Sequence, residues 1–243
     1  MGTSADLATP SIQLLGPVEV VPRVALAPRE RALLARLAID TGRTVTVDRL
    51  VDDLWRADPP ATARNALQVY VSHLRTRLGR DAIVSRSAGY RLAVPSERVD
   101  SLVFERLLAV AVGLRAGGRT TEAVASLDAA AGLWRGTPLV DLADYAFAEL
   151  EAARLVELRA TCTEHLAEAL LATHELDRLV EELVPRVRDF PFRERLRAAA
   201  MTGLYRQGRS VEALELYSEL VEQLREELGL EPGPAPSPCS RPS

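Results

Sequence analysis

Lysine is absent: all 30 basic residues of this 243-residue chain are arginine. The absence removes the amine that a phosphate-binding loop, a Schiff-base enzyme or a kinase-type site requires. Arginine suits bidentate contacts to phosphate and guanine, but codon bias produces an all-arginine protein equally well, so its usage alone decides nothing. Cysteine is nearly as scarce, with only Cys162 and Cys239, the second in a Pro/Ser tail. Two cysteines so placed predict no disulfide and fit a reducing cytoplasm. No apolar run approaches the roughly 18 residues that cross a bilayer, so no membrane partner is expected. Met1-Gly2-Thr3-Ser4-Ala5-Asp6 lacks the basic and apolar regions of a secretory signal, and Asp6 breaks the myristoylation pattern.

The signatures of catalysis are missing as well. There is no G-x-S-x-G, no paired C-x-x-C and no G-x-G-x-x-G after a strand. His174-Glu175 begins like the zinc motif H-E-x-x-H, but Arg178 occupies the second histidine position. His165 and His174 read as surface or packing residues. Asp52 and Asp53 are neighbours on a helix, point in different directions and make a poor acid–base couple, better read as solvated. No catalytic residue, cofactor or metal ligand is expected, and the chain reads as a non-enzyme.

What is present is a charge asymmetry. The net charge is −4, yet residues 12–98 carry 14 Arg against nine acids, while residues 99–243 carry 16 Arg against 24 acids. Between Arg64 and Arg91 there are six Arg and one acid, Asp81. A basic segment inside an acidic protein is a localised electrostatic footprint of the kind that meets nucleic acid.

The first half reads as short strands, then helices, then a hairpin. Ile12–Leu15, Val18–Val21 and Val24–Leu26 are β-prone runs broken by Gly16-Pro17 and Pro22-Arg23, and predict a small antiparallel sheet. Pro28 opens a helix with Leu33, Leu34, Leu37 and Ala38 on one face, stopped by Gly42. Thr44–Val47 is briefly extended, and Asp48 is the expected N-cap of a second helix carrying Leu50, Val51, Leu54 and Trp55. Asp58-Pro59-Pro60 forces a loop and leads into a third helix, about Thr62 to Leu78, with proline in its first turn.

That third helix carries the functional signal. At about 100° per residue Leu67, Val71, Leu74 and Leu78 form one stripe, flanked by Tyr70, that must be buried. The opposite face shows Asn65, Gln68, Val69, Ser72, His73 and Thr76, with Arg75 and Arg77 on its shoulders and no acid among them. Asn and Gln read adenine in the major groove, and Arg reads guanine. For one polar residue a solvated helix face is the simpler explanation; a whole face without Glu or Asp is harder to explain that way. Ile83–Leu92 then forms a basic hairpin around Ser87–Gly89, with Arg86 near its tip able to enter the minor groove or meet phosphate.

The run Val45–Leu50, Leu54-Trp55, Asn65–Leu78 and Gly89–Leu92 resembles an OmpR-type winged helix-turn-helix. Leu14–Val18 and Pro28–Ala35 narrow the resemblance to the Streptomyces antibiotic regulatory protein family, in which the winged helix comes first. The resemblance implies a DNA-binding face made by Arg64, Asn65, Gln68, Ser72, His73, Arg75, Thr76 and Arg77 with the wing residue Arg86. It also implies a loop at Arg56–Ala61, with Arg56 and Asp58, that faces RNA polymerase. Ser72 and His73 depart from the response-regulator pattern, which is often more basic there, so base preferences do not transfer.

From about Val99 the chain reads as helix throughout, and it repeats. Leu204–Leu214 matches Leu114–Val124 at the positions that shape a helical hairpin, with Gly208-Arg209 and Gly118-Arg119 at the turns and Ala213 and Ala123 at close helix contacts. A weaker copy begins at Leu170-Leu171, 34 residues before Leu204, the spacing of tetratricopeptide repeats. Trp134, Gly136–Leu139 and Glu226–Pro234 resemble the bacterial transcriptional activator domain that follows the winged helix in this family, whose members usually continue beyond this point.

The expected architecture is mainly α: a disordered N-terminus over 1–11, a winged helix-turn-helix with a small antiparallel sheet and wing hairpin over 12–95, a tetratricopeptide-like all-α domain over 96–233, and a disordered tail over 234–243. The resemblance implies an activator that binds double-stranded promoter DNA as a dimer on direct repeats and recruits RNA polymerase, in control of a secondary-metabolite cluster. A protein-interaction repeat module and a ligand-responsive repressor share the same fold.

Overall fold

The computed structural model describes residues 11–55, 58–223 and 225. The chain divides into two compact units that do not follow the linear boundary at 95/96. One unit takes the described residues up to Arg106 together with Gly132–Glu157, the other takes Leu107–Ala131 with the described residues from Leu158 onward.

In the first unit, β1 (Ser11–Gln13) and β2 (Glu19–Val21) pair antiparallel, with Ile12 opposite Val20. Val24–Leu26, expected as a third strand, has no strand partner and runs as irregular chain; β propensity without a neighbour to bond does not make a strand. Helix α1 (Pro28–Ile39) starts with proline at its first turn, where the missing N–H costs nothing. Ala27 has no side chain to cap it, but its own N–H donates to Glu30 Oε2 at 3.0 Å.

A two-residue strand β3 (Val45–Thr46) leads into α2 (Val47–Trp55). The helix is capped by Thr46, whose hydroxyl accepts from the Arg49 N–H at 3.2 Å. Asp48, the expected cap, lies inside the first turn instead. Asp58, Pro59 and Pro60 precede α3 (Ala63–Leu78), so proline lies ahead of that helix rather than in its first turn. The wing follows as β4 (Ile83–Arg86) and β5 (Gly89–Leu92), and the three-stranded sheet has the order β3-β5-β4.

Leu33, Leu34 and Leu37 of α1, Leu50 and Leu54 of α2, and Leu67, Val71 and Leu74 of α3 bury together with Ile83 and Leu92. The stripe expected on α3 is therefore its core face. Leu139, Leu142, Phe147 and Ala148 join the same core. The link is also polar. The Leu14 and Leu15 N–H groups donate to the buried Asp100 carboxylate at 2.7 and 3.1 Å, and the Val18 N–H donates to Asp141 at 3.0 Å. The Arg135 and Leu139 N–H groups donate to the Leu15 and Gly16 carbonyls, each at 2.8 Å. Phe104 meets Trp134 edge to face at 5.3 Å.

Helices α4 (Asp100–Ala116), α5 (Thr120–Ala131) and α6 (Ala146–Ala172) come next in the chain. Then follow α7 (Leu176–Arg178), which runs on as a π turn over Leu179–Leu183, and α8 (Glu194–Arg206) and α9 (Ser210–Gln223). In the second unit three helix ends close alike. The N–H groups of Arg119, Glu175 and Arg209 donate back to the carbonyls of Leu114, Leu170 and Leu204, each at 2.9 Å. The residue before each is left-handed: Gly118 at φ 75°, His174 at 63° and Gly208 at 78°. These are Schellman-type closures, in which glycine avoids the strain that a Cβ brings. The weak copy at Leu170 thus shares the turn geometry of the other two, with a histidine where they have glycine. Arg119 pairs with Glu122 and Arg209 with Glu212, three residues on in both cases.

Candidate nucleic-acid interface

The surface of α3 away from the core exposes Arg64, Asn65, Gln68, Val69, Ser72, His73, Thr76 and Arg77, while Arg75 is half-buried. These residues share one face because the opposite stripe is fixed in the core. Trp55 stacks on Tyr70 at 6.2 Å, with Arg29 over the indole at 5.5 Å, and this sets α2 beside α3.

The face is less free of acid than its own sequence implies. Glu30 reaches it from α1: its side chain is 3% exposed and takes bonds from His73 Nδ1 at 2.7 Å and from Arg77. Arg64 pairs with Asp48 of α2. Burial on its own pushes the Glu30 carboxyl up, but the bonds from the Ala27 N–H, His73 and Arg77 outweigh it and hold the group below its ordinary value.

Arg75 is occupied by the wing. Its Nε donates to the Ile83 carbonyl at 2.8 Å and a terminal nitrogen donates to Ser85 Oγ at 2.9 Å. The guanidinium is a clamp between α3 and β4, and Ser85 is the neighbour of Arg86. Thr76 donates its hydroxyl back to the Ser72 carbonyl at 3.0 Å. Asn65, Gln68 and Ser72 have no side-chain partner among the described residues, and Val69 places an apolar surface between them, 48% exposed.

Arg86 ends β4 opposite Gly89, exposed and without an ion pair among the described residues. The Ser87-Ala88 turn beyond it is tied down by the Val47 N–H, which donates to the Ala88 carbonyl at 3.0 Å. A Cβ on Gly89 meets the Val45 carbonyl oxygen at 1.9 Å. Only glycine lets β3 cross there and hold the wing base. Asp58 is exposed, and Arg56 lies outside the described residues.

Residues weighed for other chemistry have structural partners. Asp53, expected to be solvated, is instead only 8% exposed and accepts from Arg36 at 2.6 Å and Arg49 at 3.1 Å. His165 Nδ1 faces Arg115 at 2.5 Å, and His174 forms a turn. Cys162 is buried, and burial with the nearby Asp128 pushes its thiol up to about 12, far from a reactive thiolate. Among the described residues no group of His, Cys, Asp and Glu suits a metal, and no helix is long and apolar enough to cross a membrane.

Sequence reasoning missed Glu30, Asp48, Asp100 and Asp141. The first two are partners of side chains on the polar face of α3, and the last two fasten the N-terminal strands. Glu30 had one local signal: it stands three residues after Ala27 at a helix start, where a carboxylate reaches back to a free N–H.

Two family models match this chain. The bacterial transcriptional activator domain matches residues 99–237, and the C-terminal domain of transcriptional regulatory proteins matches residues 22–92. The regulatory protein AfsR of Streptomyces griseus is 36% identical over 193 residues, covering 79% of this chain and 20% of that protein. The transcriptional regulator RedD of Streptomyces coelicolor is 35% identical over 218 residues, covering 85% of this chain and 62% of RedD. The solved structure of Mycobacterium tuberculosis EmbR in complex with a low-affinity phosphopeptide superposes with a TM-score of 0.88 at 34% identity, over 93% of this chain and 62% of that one. The chain thus spans about a fifth of AfsR and under two thirds of RedD. With both domains matched in this order, the chain belongs to the Streptomyces antibiotic regulatory protein family of transcription regulators.

Proposed function

We propose that this regulator is a sequence-specific DNA-binding activator. Residues 12–95 form the DNA-binding domain, and residues 96–233 form the regulatory domain. Helix α3 enters the major groove with Asn65, Gln68, Ser72 and His73 toward base edges, while Arg64, Thr76 and Arg77 lie at its margins toward the phosphates. Arg86 reaches the minor groove or phosphate from the wing, and Arg75 holds the wing in place as it does so. The observation that carries this reading is the exposed row Asn65, Gln68 and Ser72, without side-chain partners among the described residues, on a helix fastened by Arg75 to the strand that ends in Arg86.

Two protomers bind direct repeats, and the loop over 56–61, with Arg56 and Asp58, faces RNA polymerase. The target is a promoter of a secondary-metabolite cluster, a reading supported by the likeness to AfsR and RedD. Footprinting on the promoter adjacent to the gene tests it. A protected direct repeat is expected, with affinity falling steeply as salt rises; Arg86→Ala weakens all sequences and lowers the salt slope by about one. Gln68→Ala changes base preference at one position. Equal affinity for every duplex at fixed salt removes the specificity claim, and a rise of target transcripts on gene deletion makes the protein a repressor.

A further inference from the structure

Glu30 lies 43 residues from His73 in sequence, yet its Oε1 is 2.7 Å from His73 Nδ1. The carboxylate is buried at 3% exposure, whereas the imidazole is 53% exposed on the polar face of α3. Glu30 accepts on both oxygens: Oε1 from His73, Oε2 from Arg77 and the Ala27 N–H. Three donors on one buried carboxyl keep it ionised, and an ionised carboxylate only accepts. The proton between Glu30 and His73 therefore sits on Nδ1. In the neutral ring Nε2 then carries a lone pair, and a second proton has nowhere to go but Nε2.

We infer that Glu30 makes His73 a proton-gated base reader. The inference rests on the reading that α3 enters the major groove. As a neutral ring His73 presents an acceptor, which matches the amino groups of cytosine or adenine. As an imidazolium it presents a donor, which matches guanine N7 and O6, thymine O4 or adenine N7, so that cytosine is the one base it no longer accepts. One proton taken from solvent at Nε2 thus exchanges cytosine for guanine or thymine at the same side chain, with no other bond made or broken. Among the described residues, the charged groups paired at the ring are Glu30 from α1 and, through that carboxylate, Arg77 one turn further along α3. An arginine at position 73 would donate at every pH, and without Glu30 the ring would adopt either tautomer. Glu30 is the positioning residue and His73 the contact.

The test enriches a pool of random-sequence DNA duplexes with the full chain, once at about pH 8 and once at about pH 6. The two enriched motifs are expected to agree except at one base pair. There, cytosine at high pH gives way to guanine or thymine on the same strand at low pH, adenine fitting both states, with a swing of about tenfold in relative affinity between cytosine and guanine. His73→Gln, a change at an exposed position, is expected to enrich one motif at both pH values. Nitrogen NMR of the free protein at about pH 8 is expected to show the proton on Nδ1 and an unprotonated Nε2, a pattern lost in Glu30→Gln. Identical wild-type motifs at both pH values, a swing that persists in His73→Gln, or a proton on Nε2 in the free protein each overturn the inference. Failure to enrich any sequence at either pH overturns the DNA-binding reading and this inference with it, whereas an enriched motif without a swing overturns the proton gate alone.

Discussion

Arg75 donates from Nε to the carbonyl of Ile83 at 2.8 Å, and the same guanidinium reaches Ser85 Oγ at 2.9 Å. Helix and wing therefore share one side chain, and its loss should be felt by both. Arg75→Ala is expected to lower stability by about 1–2 kcal/mol, the worth of charge-assisted bonds at a partly buried site. It should weaken binding to all duplexes alike rather than change base preference. Arg75→Lys recovers little, because an ammonium lacks the fork that spans two acceptors. Urea melts and duplex titrations check this; a changed motif with unchanged stability would make Arg75 a base reader instead.

Gly89 answers a different constraint at the base of the same wing. A Cβ there lies 1.9 Å from the Val45 carbonyl oxygen and 2.8 Å from Thr46 Cα, both backbone atoms that cannot swing aside. Gly89→Ala is expected to cost on the order of 3 kcal/mol, at the upper end for overpacking. The loss should fall first on the β3–β5 pairing, which amide exchange at Val45 and Tyr90 reads directly.

These two positions show what the sequence carried and what it did not. The stripe Leu67, Val71, Leu74 and Leu78 was legible because helical period alone places it in a core. The turns at Gly118 and Gly208 were legible because glycine tolerates the left-handed backbone. Partners on other elements were not. Glu30 acts on residues 43 and 47 positions away, and Asp100 on Leu14 across 86; no period or local propensity links such pairs. The polar face of α3 looked acid-free because its acids come from α1 and α2. Asp48 looked like a cap because propensity favours aspartate there, but the chain enters the helix two residues earlier and Thr46 takes the role. The units themselves interleave, with Gly132–Glu157 joining the first, and linear order carries no trace of that.

Glu30 also predicts how stability responds to acid. Its folded-state value lies below the ordinary 4.5, chiefly because hydrogen bonds outweigh burial. A carboxyl depressed on folding contributes stability that is complete above its unfolded value and is lost as pH falls through the folded one. Wild type should therefore lose stability below about pH 4.5 more steeply than Glu30→Gln. At neutral pH the variant should be less stable by about 2 kcal/mol, a figure reduced because both partners reach solvent. Denaturant midpoints measured across the acid range decide it: parallel curves for the two proteins would show that Glu30 has no depressed value in the fold.

The repeat unit yields the sharpest stability test, because its middle hairpin carries a large residue where the other two carry a small one. Ala123 and Ala213 each follow a turn by five residues and donate their N–H groups to Arg119 and Arg209; the equivalent residue after His174 is Leu179, which donates to Glu175. Leu179 is fully buried, and the space it needs comes from α8, where a Cβ on Gly203 meets Leu179 Cδ2 at 2.3 Å. Glycine inside a helix costs about 1 kcal/mol against alanine, so Gly203 persists at a loss that the leucine offsets. In wild type, Gly203→Ala gains that propensity but must displace a packed leucine, and a net loss of about 1 kcal/mol is expected. In a Leu179→Ala background the same change has nothing to displace. It should then stabilise by about 1 kcal/mol, even though Leu179→Ala alone costs about 3 kcal/mol. The reversal of sign across the double-mutant cycle is the diagnostic. Additive effects would mean that the leucine turns aside freely and that the two residues do not compete for one space.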